Sequence, residues 1–520
     1  MDRHKRYRNV GLLFFLAAVL LVACRPGPTD PAGLEPEAEL GNSTERIVIL
    51  HTNDFHGALE PDSNQRGGEA GGLLNLVSLI DQVRSEDPEH TLLLDAGDTL
   101  QGSFVSNSTQ GEVVVAAMNL AGYNAWTLGN HEFDWGQEPL RARIEQAAFP
   151  VLAANLHDAT TGDIWDPVQP YTIIQVGSAQ VGILGLTYPD TPIINRAENV
   201  AGLDFQNAAE SVRRYLPELD NQVDLIVVLS HLGYDGDVAL AGAVTGIDVI
   251  VGGHSHLFQE RPRRVNETLI VQAGAKGQVL GRLEVVVDLR AGGVQEYEAR
   301  DSLLPVTGDL VVSNDQVREL VNSALAEAAE TIKQPIGETE VALTTQRAGE
   351  FALGNLVVDA MLATDVDGIP ADIAMHNNGG IRADLPKGPI TFGQLYAVLP
   401  FDNQLMALEL TGDQILEILE HSVAGRAGAM QVAGVTFEFR MSRPAGSRVR
   451  EVMVGDRPLE PERVYRVVTI DYLAAGGDGY ESFLEGANPV YGEDAVWVVA
   501  EYVRAHSPVH PRVEGRIVQR

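Results

Sequence analysis

Five short polar strings between Asp54 and His256 carry side chains able to hold metal ions. They are Asp54-Phe55-His56, Gly97-Asp98, Gly129-Asn130-His131-Glu132 with Phe133-Asp134, Ser230-His231, and Gly252-Gly253-His254-Ser255-His256. Carboxylate, imidazole and amide oxygen together suit two divalent ions of borderline hardness, such as Zn²⁺ or Mn²⁺. No thiolate takes part. A bridging aspartate can hold two such ions about 3.5–4 Å apart, the spacing of two-metal hydrolases. Taken alone, an Asp-x-His pair is ordinarily a surface turn or a helix cap. Gly-Asn-His-Glu and Gly-Gly-His-x-His are far more specific strings, and all five follow apolar runs in order. Side chains i and i+2 of an extended chain point the same way. The D-x-H and H-x-H pairs are therefore expected to set two ligands on one side of a strand end.

The elements that must position these strings are readable from apolar patterning. Arg46–Thr52, Thr91–Leu94, Val181–Leu186, Leu225–Leu229 and Val249–Val251 are short runs rich in branched residues, each followed by polar residues. They predict buried strands. Leu73–Arg84 and Glu112–Ala121 predict helices between them. Alternation of strand and helix implies a layered α/β domain whose chemistry collects on loops past the strand ends. Asn314–Thr331 is Ala/Glu/Leu-rich and predicts a helix linking two domains. Beyond it, helices are expected at Phe351–Leu362 and Gln414–Val423 and strands at Ile373–Met375 and Val464–Thr469.

The five strings resemble the calcineurin-like metallophosphoesterases. More narrowly, His51-Thr52-Asn53-Asp54-Phe55-His56-Gly57 and Leu94-Asp95-Ala96-Gly97-Asp98 are similar to the bacterial and animal 5'-nucleotidase family, from about residue 45 to the C-terminus. The resemblance implies a four-layer αββα metallophosphoesterase domain at 45–310, a linker helix at 311–334 and a smaller α+β substrate-binding domain at 335–520. It implies one ion held by Asp54, His56, Asp98 and His256, and another by Asp98, Asn130, His231 and His254. His131, oriented by Asp134, would donate a hydrogen bond or proton to the phosphate and leaving oxygen. The expected chemistry is in-line attack by metal-bound hydroxide on phosphorus, with no phosphoenzyme.

The second half supplies the clue to what carries the phosphate. Asn377-Asn378-Gly379-Gly380-Ile381-Arg382 resembles the family's N-G-G-G-I-R string, with Asn378 in place of the first internal glycine. Arg347 matches a substrate arginine of the family, and guanidinium forks suit phosphate or ribose oxygens. Phe401 and Tyr472 fall where the family sandwiches a base, and stacking there is worth about 1–3 kcal/mol per base. Tyrosine replaces the family's usual phenylalanine at 472. Asp478 falls at the ribose position, and Asn377, Gly380 and Asn403 fall near the base. On their own, two aromatics at strand ends would be ordinary core residues; their order with Gly-Gly-Asp-Gly and Asn-Gly-Gly-Ile-Arg points to a nucleoside clamp. His157, His376, His421 and Lys276 receive no role.

Arg3, Lys5, Arg6 and Arg8 precede an apolar run from Val10 to Ala23, which is short for a bilayer span and suits an export signal. Leu21-Val22-Ala23-Cys24 resembles a bacterial lipobox, and Cys24 is the single cysteine. Residues 1–24 are thus expected to be a lipoprotein signal peptide, with Cys24 as lipid anchor, and 25–44 a flexible tether rich in Pro, Gly, Glu and Ser. The net charge of −35 repels nucleic-acid polymers and anionic surfaces. A phosphorylated substrate therefore needs a local positive site. No obligate protein partner is expected. The leading reading is a nucleotide phosphatase. A nucleotide-sugar pyrophosphatase, a 2',3'-cyclic nucleotide phosphodiesterase with 3'-nucleotidase activity, and a sulfur-ester hydrolase would keep the same metal core. A non-catalytic nucleoside-binding lipoprotein is a reading of another class.

Overall fold

The computed structural model describes residues 44–63, 69–298, 302–308, 314–345, 349–401, 403–424 and 428–520. The expected signal peptide, Cys24, nearly all of the tether, and Arg347 lie outside the described residues.

The first half builds two sheets. In one, Thr44–Thr52 lies between Thr91–Asp95, its parallel neighbour, and Val279–Asp288, its antiparallel one. Ala125–Thr127 and Val151–Leu152 extend it in parallel. The other runs Arg263–Val265, Thr268–Val271, Val249–Gly252, Leu225–Ser230, Ala179–Leu186, Tyr171–Val176 across its width. Alternate residues of each strand face the other sheet. Ile47, Ile49, Leu92 and Leu94 pack with Val181, Ile183, Val227 and Val249 in one buried layer. The outer face of the first sheet is covered by Leu73–Arg84, Glu112–Ala121 and Gln137–Gln146, that of the second by Ala208–Leu219 and Tyr234–Ala243. The result is helix, sheet, sheet, helix. The central parallel strands end together, so the loops after Thr52, Asp95, Thr127, Ser230 and Gly252 gather at one edge.

Local chemistry fixes the helix limits. Glu112–Ala121 stops at Gly122, whose φ of 69° supplies the left-handed cap. The helix Asp315–Ile332 starts where Asn314 accepts the Val317 amide. That helix is more than a connector: Val317 and Val321 are buried in the layer formed by the first helices.

The second half has its own core. Gln431–Ala433, Ile373–His376, Val464–Ile470, Gln404–Thr411 and Ala487–Asp494 form a five-stranded mixed sheet in that order. Helices Ala352–Leu362, Gly412–Ala424 and Ala495–His506 pack into its core, and a four-stranded sheet adjoins them. The halves meet where Gln101 Nε2 and Asn107 Nδ2 donate to the Pro400 carbonyl at 2.8 and 2.7 Å. Phe104 packs edge-on against Tyr396 beside this contact. Among the described residues, no helix is long and apolar enough to cross a membrane.

Candidate metal centre and nucleotide cleft

The strand ends bring seven predicted ligands together. Asp54, His56 and His256 form one cluster, and Asp98, His231 and His254 another. Asn130 joins the second through its Oδ1, 2.9 Å from His254 Nδ1. The H-x-H pair is thus divided between the clusters.

The backbone departs from the extended geometry expected for the D-x-H and H-x-H pairs. Asp54, His56, Asp98, His254 and His256 all have φ between 50° and 70°. Such left-handed conformations are uncommon for residues other than glycine. Neighbouring loops impose them here. The amides of Asp54 and His56 donate to the carbonyls of Gly97 and Asp98, and the Lys276 amide donates to the Asp54 carbonyl. Asn53 ties the same turn to Ala273 and Gly274. Tight, tertiary-clamped turns, rather than extended strand ends, therefore aim these side chains.

The donor set fits divalent ions. Nδ1–H of His56 donates to the Gln101 carbonyl at 2.9 Å, and that of His231 to the Ala96 carbonyl at 2.6 Å. Each ring is thereby held with Nε2 as a lone-pair donor, as metal-binding imidazoles require. The buried His231 Nε2 has no hydrogen-bond partner, although Asp98 Oδ2 lies 3.0 Å away. His56 Nε2 and His256 Nε2 face one another at 3.2 Å, an arrangement suited to a shared cation. Burial, with the neighbouring His256, holds His56 well below the usual imidazole range; burial, with His231, brings His254 to about 4. Neutral rings are the binding form. Burial opposes a charge on His231, yet Asp98 and Asp54 override it and push the ring up to about 10. The same carboxylates would hold a metal ion in place of that proton.

His131 Nδ1 lies 2.8 Å from Asp134 Oδ2, and the other oxygen of Asp134 accepts from Asn195 Nδ2 at 2.8 Å. The His131 amide donates to Asp98 Oδ1. Burial opposes protonation of His131, but Asp134 and Asp98 outweigh it and raise its pKa. Glu132, from the same string, accepts the amides of Asp98, Thr99, Leu100 and Gly129 and so fixes the loop bearing Asp98. Burial and the Asp98 charge still push its carboxyl up to about 7.

A cleft of about 680 Å³ opens over Asn130, His131 and His254 and is bordered on its far side by Asn377, Gly380, Arg382, Phe401, Asn403, Tyr472 and Asp478. The predicted substrate residues that are described therefore face the metal centre across one space. The Phe401 ring lies 5.6 Å from that of His131, and the Arg382 guanidinium lies over Phe401 at 5.9 Å. The asparagine in the Asn377–Arg382 string is accommodated because the turn Asn378–Gly380 is a right-handed 3-10 helix. It needs no positive φ, and Asn378 Oδ1 accepts from Gln431 Nε2.

Several contributors gave no signal in the sequence. Arg196 Nη2 reaches Asn403 Oδ1 at 3.2 Å and Asp471 Oδ2 at 3.0 Å, crossing from the first half to the second. Asn195 orients Asp134, and Tyr188 stacks on His254 with ring centroids 4.2 Å apart. His421 donates to the Asp478 carbonyl. All four stand far in sequence from what they touch, and none belongs to a recognisable string.

Comparison with known proteins covers nearly the whole described chain. The model for calcineurin-like phosphoesterases matches residues 47–258, and that for the 5'-nucleotidase C-terminal domain matches 328–485. The trifunctional nucleotide phosphoesterase protein YfkN of Bacillus subtilis (strain 168) is 33% identical over 91% of this chain, which spans 35% of that protein's length. The snake venom 5'-nucleotidase of Crotalus adamanteus is 33% identical over 91% of this chain and 88% of its own. The crystal structure of the 5'-nucleotidase precursor from Thermus thermophilus superposes with a TM-score of 0.84 at 36% identity, covering 91% of this chain and 99% of that one.

Proposed function

Because the chain belongs to the 5'-nucleotidase family, a calcineurin-like phosphoesterase domain followed by a 5'-nucleotidase C-terminal domain, we propose that it is an exported two-metal enzyme that removes the 5'-phosphate from nucleotides. The observation that carries this reading is the single cleft. It joins a carboxylate–imidazole cluster to aromatic, amide and guanidinium groups from a separate core.

Asp54, His56, Asp98 and His256 would hold one divalent ion, and Asp98, Asn130, His231 and His254 would hold the other. When bound, such ions polarise phosphoryl oxygens and lower the pKa of a water. The chain's own groups do the rest. Asp134 fixes the His131 ring through Nδ1, which leaves Nε2 to donate to the phosphate and the departing 5'-oxygen. Asn195 keeps Asp134 from turning away. Arg382, with Arg347, neutralises phosphate oxygens in an otherwise acidic protein. Phe401 and Tyr472 take the faces of the base, Asn377, Gly380 and Asn403 its edge, and Asp478 the ribose. The working parts are the domains at 45–310 and 335–520, joined through 311–334.

Export rests on the charged and apolar N-terminal run and on Cys24 as the lipidated residue. The Crotalus relative is a venom protein and the Thermus one a precursor. A Cys24→Ser protein should leave the membrane fraction. The decisive assay follows hydrolysis of AMP, UDP-glucose and 2',3'-cyclic AMP, by phosphate release and by chromatography of the nucleotide products, with Mn²⁺, Zn²⁺, Mg²⁺ and Co²⁺ in turn. AMP is expected to be the best substrate. Turnover of only the pyrophosphate or only the cyclic diester would overturn the monoesterase reading.

A further inference from the structure

Asp478 is held at four points by its own chain. Its amide donates to the Tyr472 hydroxyl oxygen at 3.0 Å, and that hydroxyl donates in turn to Asp478 Oδ1 at 2.7 Å. Oδ2 accepts from Asn377 Nδ2 at 2.6 Å, and the carbonyl accepts from His421 Nε2 at 2.9 Å. The residue sits at φ 56°, a conformation that side-chain-bearing residues seldom keep unless their surroundings impose it. Gly477 beside it has no room for a side chain: a Cβ there would stand 2.5 Å from the Tyr472 ring. The ring thus lies directly against the turn it ties down.

A carboxylate offers about four lone-pair sites, two on each oxygen. Tyr472 takes one on Oδ1 and Asn377 one on Oδ2. One acceptor site per oxygen remains, and Asp478 borders the cleft. Two adjacent oxygens, each with one free site, match two adjacent hydroxyl donors. We propose that Tyr472 is a positioning residue whose hydroxyl locks Asp478 into a paired acceptor for a cis-diol, making the enzyme selective for nucleotides with an intact ribose over deoxy forms. The inference rests on the nucleotide reading above and adds to it a sugar selectivity set by Tyr472. A phenylalanine would stack on a base equally well. It would strip both Oδ1 and the Asp478 amide of their partner and let the carboxylate turn.

The test compares wild-type and Tyr472→Phe protein, both loaded with Mn²⁺, on AMP and 2',3'-dideoxy-AMP. A hydrogen bond to a charged group corresponds to roughly tenfold or more. Wild-type KM should therefore be at least about tenfold lower for AMP. In Tyr472→Phe that ratio should collapse through a rise in KM for AMP, with the loss in KM rather than kcat. A rise by the same factor for both substrates would mean that the ring matters only for stacking, and would overturn the proposal, as would an unchanged ratio. Calorimetric binding of adenosine and 2',3'-dideoxyadenosine separates this idea from the catalytic one. Tyr472-dependent preference for adenosine, in a protein that releases no phosphate from AMP, would keep the diol clamp and sink the monoesterase. Equal affinities would sink the clamp whatever the activity.

Discussion

Gly129 stands where a single methyl group should disable the metal centre. A Cβ built there lies 2.2 Å from Asp98 Oδ1, 2.5 Å from the Asp98 amide nitrogen and 2.8 Å from His231 Cε1. Non-bonded heavy atoms sit about 3.5–4 Å apart at ease, so Asp98 must retreat by about 1 Å or more. Rotating its side chain cannot suffice, because the backbone nitrogen is struck as well. Overpacking of this kind costs about 1–3 kcal/mol of stability. A misplacement of about 1 Å at a reacting centre costs on the order of 100-fold in rate, or about 2.7 kcal/mol in the barrier. Gly129→Ala is therefore expected to fold, to melt a few degrees lower, and to lose about 100-fold in kcat/KM on AMP. Its bound metal, measured by elemental analysis after dialysis, should fall below that of the wild type. Gly242 is the matched control. It lies in the helix Tyr234–Ala243, and its added Cβ meets nothing within 4 Å. Gly242→Ala should gain up to about 1 kcal/mol from helix propensity and keep its metal. A Gly129→Ala enzyme with wild-type metal content and wild-type kcat/KM would refute the placement of Asp98 and the reasoning built on it.

Three further outcomes follow from the same geometry. Asp134→Asn must present its amide nitrogen to either His131 or Asn195, both of which donate to it now; kcat should fall about 100-fold with KM little changed, and retention of kcat would remove Asp134 as the partner that orients His131. Arg196→Ala loses the contacts with Asn403 and Asp471 in the second half, and Arg196 is partly exposed, so the expected effect is a several-fold rise in KM and a larger radius in solution scattering, not unfolding. Burial pushes Asp248 up to about 6 while its Oδ2 accepts the Ile226 amide. The folded state then binds a proton that the unfolded state releases near 4, so the stability from this group is complete below about 4 and lost as pH rises through about 6. Melting temperatures of wild type and Asp248→Asn, followed from pH 4 to 6, should show the wild type losing ground; parallel curves would contradict the shift.

The cleft also explains how so acidic a chain can accept an anion. Its net charge of −35 is countered locally by guanidinium on one side of the cleft, and on the other would be countered by the divalent ions that the imidazole–carboxylate nest is suited to hold. A substrate in this cleft bridges two cores, so anything that separates them separates chemistry from recognition. Arg196 and the Pro400 contacts with Gln101 and Asn107 are among the ties that oppose such separation.

The sequence by itself determined many of the elements and, for some, their edges. The apolar run at Leu225–Leu229 became the buried strand Leu225–Ser230, and Leu73–Arg84 and Glu112–Ala121 became helices over those same residues. Burial on one face imposes a period that any single segment displays, and caps such as Asn314 act within one turn. The strings whose side chains form the two candidate metal clusters were legible too, because Gly-Asn-His-Glu and Gly-Gly-His-x-His are local. The tertiary structure alone decided how those strings are aimed. The left-handed conformations at Asp54, His56, Asp98, His254 and His256 contradict the intrinsic preference of their residues; neighbouring loops bond the backbones of Asp54, His56 and Asp98, and the Asp54 carboxylate accepts the His254 amide. It alone also brought Asn195 to Asp134, Arg196 to Asp471 and His421 to Asp478. Those partners lie tens to hundreds of residues apart. Periodicity carries no information across such distances; strand order and the packing of two separate cores supply it.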